Sequence, residues 1–197
     1  HHRERTEGIE QLVPRDARTI VDVGAGDGRV LHHILSVRAG QLRAVAVERS
    51  LQALRHVEGP EPVQGSIDAI PLRDRCADVV LCCEVIEHLP PPVLDAGLAE
   101  LGRIAADHIL LTVPNQEVRR RADIVCSACG CRYNRERHLR SFHPRDFESL
   151  VPGFRLADVS AIGPRQPVYP RRLRIGLERS GLLPVLGSPS CPQCGEG

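Results

Sequence analysis

Two short stretches, CSACG at 126–130 and CPQCG at 191–195, each set two cysteines two residues apart ahead of a glycine. That spacing lets both thiolates reach one ion, and the glycine permits the turn that aims backbone N–H groups at sulfur. Zinc takes four ligands in a tetrahedron, so Cys126, Cys129, Cys191 and Cys194 together complete one closed site. A closed four-cysteine set has no open position, and its expected role is structural: a staple between a long loop and a tail with little core of its own. Cys131 is then an uncoordinated neighbour, and His138 or His143 are the residues able to replace a cysteine. Cys76, Cys82 and Cys83 stand alone or inside an apolar strand, where a small hydrophobe serves.

A second constellation is VDVGAGDG at 21–28. A dinucleotide fingerprint needs glycines at its first, third and sixth places. Counted from Gly24, the sixth place here is Arg29, and the glycines run Gly24, Gly26, Gly28. Asp22 and Asp27 would repel a pyrophosphate but suit a ligand carrying ammonium and sulfonium charge. Glu48 closes the next strand, where a carboxylate accepts hydrogen bonds from two ribose hydroxyls. The implied ligand is a positively charged nucleoside without a pyrophosphate, and S-adenosylmethionine fits that description.

At this point the chain resembles the class I S-adenosylmethionine-dependent methyltransferases, over about residues 15–160. VDVGAGDG is similar to their first motif and VERS to their second. QGSIDAIPLRDRCADVVLCCEVIEHL resembles their stretch from third to fourth strand, in which a GD-A-x-x-LPF segment lines the adenine. The family's aspartate falls on Ser66, whose hydroxyl can bond an edge nitrogen while Ile67 packs on the ring. TVPN at 112–115 and HLRSFHPRDF at 138–147 resemble the small-molecule branch. The resemblance implies a cofactor site of Asp22, Gly24, Ala25, Gly26, Asp27, Glu48, Arg49, Ser66, Ile67 and Cys83. It also implies in-line methyl transfer to a small-molecule acceptor, O- or N-directed, such as a sugar or secondary metabolite.

His88, just beyond the fourth strand, faces the carboxyl edge where open α/β sheets bind ligands, and is the first candidate for a general base. His143 and Asp146 are weaker ones. Some relatives use an E-x-x-E-H segment like EVIEH to hold a divalent ion beside the acceptor hydroxyl. Glu84, Glu87 and His88 would do so here, with His138 as fourth ligand.

These residues need a scaffold, and the pattern supplies one. Residues 3–13 can form a helix ended by Pro14. TIVDV (19–23), LRAVAVE (42–48), PVQG (62–65), ADVVLCCE (77–84) and HILLTV (108–113) read as strands. Helices fall at about 29–37, 50–57 and 92–105, and a further helix and strand at 144–151 and 154–159. The alternation predicts a Rossmann-like, doubly wound, mostly parallel sheet with helices on both faces. Residues 116–141 break the rhythm, and the Pro/Gly-rich tail from Gly163 carries one expected helix at 171–180. The chain is expected to be a single methyltransferase domain of residues 1–197, its zinc-binding insertion at 116–141 joined to the tail at 163–197.

Composition is ordinary for a globular protein: 197 residues, 42% hydrophobic and 26% charged. All 26 Lys-or-Arg positions are Arg. With no apolar run of membrane length and no signal-peptide pattern, the expectation is a cytoplasmic protein without a membrane partner. A net charge of +1 and only five aromatics (two Tyr, three Phe) argue against nucleic acid as partner. An RNA methyltransferase and a non-catalytic nucleoside-binding zinc protein are the competing readings.

Overall fold

The structure is a computed structural model describing residues 2–38, 40–115, 117–119, 122–163, 173, 180 and 189–196. The chain divides into two compact units. Unit one is His1–Asn115 with Phe142–Gly163, and unit two is Gln116–Ser141 with Pro164–Gly197.

Unit one is built on five parallel strands. These are β1 (Thr19–Val23), β2 (Arg43–Glu48), β3 (Glu61–Gln64), β4 (Ala77–Cys83) and β5 (Ala105–Thr112), in the order β3-β2-β1-β4-β5. The chain winds outward from β1 to β3, then crosses back to lay β4 on the other side of β1. That reversal puts the topological switch point, where such sheets bind ligands, at the carboxyl ends of β1 and β4.

Side-chain alternation along the strands builds two cores. Ile20, Ala46, Val79 and Leu81 face one way, onto α1 (His2–Leu12) through Ile9 and onto α2 (Arg29–Val37) through Leu31 and Ile34. Val21, Val47, Val80 and Cys82 face the other, onto Leu94, Leu98 and Leu101 of α4 (Pro91–Ile104). Burial on both faces is why these strands read as near-continuous apolar runs. α4 enters on a proline in its first turn, where the missing N–H costs nothing, and runs into β5 without a loop.

Three expectations change. The helix expected at 50–57 is the single turn α3 (Leu51–Leu54), capped by Ser50 Oγ on Ala53 N. Its continuation tightens to three-residue bonds, His56 N to Ala53 O and Val57 N to Leu54 O, before Gly59 at φ 93° and Pro60 end it. Residues 144–151 form a 3₁₀ helix, Pro144–Ser149, instead of an α-helix. Residues 154–159 form no strand: Leu156 and Val159 are exposed and pair with no neighbouring strand. The helix expected at 171–180 falls almost wholly outside the described residues.

Unit two holds an antiparallel hairpin of β6 (Asp123–Val125) and β7 (Arg132–Asn134), with the first cysteine pair in the turn between them. Its strands are three residues each, too short for period to betray them. Tyr133 Oη donates to Pro189 O at 2.6 Å, and the Arg137 guanidinium donates to Ser190 O.

Candidate functional site

The first cluster of interest sits at the switch point. Asp22, one residue from the end of β1, is flanked by Ala46 of β2 and Leu81 of β4. It is 2% exposed, and its Oδ1 has no hydrogen-bond partner among the described residues. Burial, followed by the nearby charge of Glu48, pushes its carboxyl up to about 7. A buried carboxyl with an orphan oxygen calls for a donor or a cation from outside the protein.

The glycine loop follows directly. Gly24 N and Ala25 N both donate to Val47 O, at 2.8 and 3.2 Å, which pins the loop to β2. Gly24 has φ 78°, and a Cβ there would come within 2.5 Å of Val85 Cγ2, so only glycine fits. Gly26 faces open space: a Cβ there would meet nothing within 4 Å. Gly28, in the left-handed region, precedes the first turn of α2.

Glu48 is held ready. Its Oε2 accepts from Gly26 N at 3.0 Å and its Oε1 from Ser50 N at 2.8 Å. Asp27 is instead engaged by its neighbour, with Oδ2 2.6 Å from Arg29 Nε. Arg49 is exposed. Ser66 donates its hydroxyl to Asp68 Oδ1, and Ile67 is buried against the α4 side of the sheet.

The loop carrying Ser66 and Ile67 is tied down by Arg103 of α4, a residue that sequence reasoning passed over. Its Nη1 donates to Leu72 O and Asp74 Oδ1, both at 2.7 Å, and its Nη2 donates to Ile70 O at 2.9 Å. Its Nε and Nη2 also engage Glu100, whose Oε2 accepts from Ile70 N. No local signal marks Arg103, because its carbonyl partners lie about thirty residues away in sequence.

At the end of β4, Cys83 pairs in register with Thr112 of β5. Burial, reinforced by Asp22, drives its thiol well above the ordinary range and disfavours the thiolate. Glu84 takes φ 56°, uncommon for a residue with a side chain. Its Oε1 accepts from Thr112 Oγ1 at 2.9 Å, and its Oε2 lies 3.6 Å from Arg5 Nη1. His88 ends a 3₁₀ turn, Ile86–His88, with its ring exposed and Nε2 4.0 Å from Oε1 of the buried Glu87. His143 and Asp146 cap their own 3₁₀ helix, Asp146 Oδ2 accepting from His143 N at 2.7 Å.

In unit two, Cys126, Cys129, Cys191 and Cys194 bring their four sulfurs within 4.8 Å of one another. Cys126–Cys194 and Cys129–Cys191 are each separated by 3.6 Å between sulfurs. Each pair ends on a glycine in the left-handed region, Gly130 at φ 74° and Gly195 at φ 79°. Gly130 N donates to Cys126 O and Gly195 N to Cys191 O, so the two knuckles repeat one geometry. Burial opposes ionisation of Cys191, but the N–H groups of Cys194 and Gln193, with the neighbouring thiols, outweigh it and bring the thiol down to about 6. His138 is turned to a carboxylate of its own unit, Nδ1 lying 2.6 Å from Glu117 Oε2.

Residues 21–108 match the family described as methyltransferase domain. Among solved structures, a protein from Pyrococcus horikoshii OT3 is similar at 19% identity and a TM-score of 0.52, over 58% of this chain and 55% of that one. An S-adenosylmethionine-dependent methyltransferase from Thermotoga maritima is 20% identical, with a TM-score of 0.49, over 58% of this chain and 52% of that one. The Haloferax volcanii complex of the Trm112 methyltransferase activator with a methyltransferase matches at 20% identity and a TM-score of 0.45, over 53% of this chain and 49% of that one. The chain spans about half the length of the structures it matches. A search of curated proteins found no match. No helix among the described residues is long and apolar enough to cross a membrane.

Proposed function

The chain carries a class I S-adenosylmethionine-dependent methyltransferase domain, and from that premise we propose that it transfers a methyl group to a small-molecule acceptor through oxygen or nitrogen. The observation that carries the reading is Asp22. A buried carboxylate with an orphan oxygen, one strand from a pre-oriented Glu48, fits a cationic nucleoside and not a dinucleotide. The open face of Gly26 leaves room for that ligand to approach the backbone.

When bound, S-adenosylmethionine supplies a methyl group already activated on a sulfonium, so the protein must add alignment and exclusion of water. Glu48 would hold the ribose hydroxyls, Asp22 answers the positive end of the ligand, and the loop fastened by Arg103 presents Ser66 and Ile67 to the base. His88 is the group placed to take a proton from the acceptor. The buried side chain of Glu87 lies beside it, its Oε1 4.0 Å from the His88 Nε2.

Unit two is read as a structural zinc site of Cys126, Cys129, Cys191 and Cys194. A tetrahedron with zinc–sulfur bonds of about 2.3 Å places sulfurs about 3.8 Å apart, close to the 3.6 Å of the two cross-knuckle pairs. The backbone donors that favour thiolate at Cys191 are those a metal-bound sulfur uses.

One observation favours RNA as a second reading of the acceptor. Unit two holds twelve arginines against five carboxylate side chains, a formal net of +7, and unit one fourteen against twenty, a net of −6. The whole-chain value of +1 hides that segregation, and a strongly basic unit is the electrostatic footprint of a polyanionic substrate. The small molecule stays first because the switch-point edge itself is acidic, with Asp22, Glu48 and Glu84 gathered there.

The deciding experiment is a mass-shift screen with isotope-labelled S-adenosylmethionine against amines, phenols, sugars and RNA. Transfer to a small acceptor, abolished or strongly slowed by His88→Ala with cofactor affinity retained, is the expected result. Transfer to RNA alone would replace the first reading with the second. Failure of the protein to bind S-adenosylmethionine or its demethylated product would remove both.

A further inference from the structure

The four clustered cysteines of unit two are not equivalent. Cys126 and Cys191 are buried, at 9% and 3% exposure, while Cys129 and Cys194 are exposed. The two sulfur pairs at 3.6 Å, Cys126–Cys194 and Cys129–Cys191, each join an exposed residue to a buried one. Each pair also joins one knuckle to the other, across 68 and 62 residues of chain. A fifth thiol, Cys131, donates to Arg132 O at 3.8 Å and is near enough to act on Cys191.

The surroundings hold the knuckles face to face. Each closes on a turn, with Gly130 N donating to Cys126 O and Gly195 N to Cys191 O. Tyr133 Oη on Pro189 O and the Arg137 guanidinium on Ser190 O bring the second knuckle to the hairpin that carries the first. These contacts do not pass through sulfur, so they still favour the facing arrangement as an ion leaves.

We propose that unit two is a peroxide-reactive thiol centre, in which a hydroperoxide exchanges the bound zinc for two disulfides, Cys126–Cys194 and Cys129–Cys191. This rests on the zinc reading and adds to it a second state of the same residues. The exposed sulfur of Cys129 or Cys194 attacks a peroxide oxygen. The O–O bond breaks, the sulfur becomes a sulfenic acid, and hydroxide leaves as water on gaining a proton. The buried partner sulfur then attacks the sulfenic sulfur. The S–S bond forms, the S–O bond breaks, and a second hydroxide leaves as water. Two peroxides, four protons and the zinc-bound set of four thiolates give two disulfides, one zinc ion and four waters. Closing each gap to the disulfide length of about 2.05 Å moves each sulfur by about 0.8 Å. Because both bonds run between knuckles, the oxidised tail stays fastened to the 116–141 loop after the ion has gone, and a cross-link restrains the chain more the longer the loop it closes.

Tryptic mapping of the full chain without reductant tests this. Cleavage after Arg121, Arg132 and Arg179 puts Cys126, Cys129 and Cys131 on residues 122–132 and Cys191 and Cys194 on residues 180–197. Zinc-loaded protein given limiting hydrogen peroxide should release its ion to a colorimetric chelator and lose four of its eight thiols. The two peptides should then run as one species, in which fragmentation places Cys194 on Cys126 and Cys191 on Cys129. Dithiothreitol should separate them and restore zinc binding, and Cys131→Ser should leave the map unchanged. Two separate peptides, each closed by a disulfide within its own knuckle, overturn the proposal. So does a cross-link through Cys131, or retention of zinc and all eight thiols under peroxide. Each of those results leaves the zinc reading standing. Absence of zinc from protein prepared without chelator removes the zinc reading, and this proposal with it.

Discussion

Asp22 and Glu48 are both carboxylates at the ends of adjacent strands, and their surroundings separate their roles. Glu48 is partly exposed and accepts two backbone N–H groups, which hold it in place for a neutral partner such as a ribose. Glu48→Ala should weaken cofactor binding by about 1.5–3 kcal/mol in calorimetry, the loss of a hydrogen bond to a charged group. Asp22 is buried and its carboxyl is raised from 3.8 to about 7, so the folded chain holds that proton more tightly than the unfolded chain does. Its contribution to stability is therefore full below about pH 4 and is lost as pH rises through about 7. A cationic ligand favours the ionised form and should expel the proton on binding. Cofactor affinity should rise with pH through about 7, with proton release visible in buffers of different ionisation enthalpy. In Asp22→Asn both effects should vanish. A flat profile in wild type would show that Asp22 does not meet the positive charge.

At the scale of elements, the site depends on two clamps. One is the approach of Gly24 to Val85, which brings the loop after β1 against the segment after β4. Gly24→Ala adds a Cβ 2.5 Å from Val85 Cγ2 at a backbone angle that disfavours it. It should cost about 1–3 kcal/mol in denaturant unfolding, as overpacking does, with a larger loss of cofactor binding. The other clamp is the Arg103 fork, which fastens the loop between β3 and β4 to α4 through the carbonyls of Ile70 and Leu72. Arg103→Lys keeps the charge but loses the planar fork. Hydrogen exchange should then rise across residues 65–76 while β1 and β4 stay protected. Equal exchange in variant and wild type would demote Arg103 to a surface ion pair.

For the molecule as a whole, the two units have different sources of stability. Unit one has two apolar cores around a parallel sheet. Unit two has short strands and a cluster of four cysteines, so a metal would supply much of its folding free energy. Metal analysis of protein prepared without chelator should find zinc, and Cys191→Ser should remove it. Limited proteolysis of that variant should cut within 116–141 and the tail together, while unit one survives and still binds cofactor. Zinc retained in Cys191→Ser would point instead to a ligand set drawn from Cys126, Cys129, Cys131, His138 or His143. The charge segregation has its own readout. Any RNA binding should fall steeply as salt rises, and Arg132→Glu on the exposed hairpin should weaken it.

The residue sequence alone determined the parallel sheet, because strands buried on both faces must be apolar throughout and must alternate with helices. It also determined the glycine loop with its acidic neighbours and each cysteine knuckle by itself, since each depends on residue types at fixed short spacings. Tertiary structure decided what depends on groups distant in the chain. The proton affinity of Asp22 comes from burial between two strands together with Glu48, and no local pattern encodes burial. Arg103 and Arg5 look like any surface arginine until folding brings carbonyls from 70–72, or a strained Glu84, within reach. The absence of a strand at 154–159 is of the same kind: the apolar alternation is present, but a strand forms only where an edge is offered to it. The charge asymmetry was present in the residue order throughout. It became meaningful only when chain packing drew 116–141 and 164–197 into one unit, because net charge belongs to a folded body and not to a stretch of sequence.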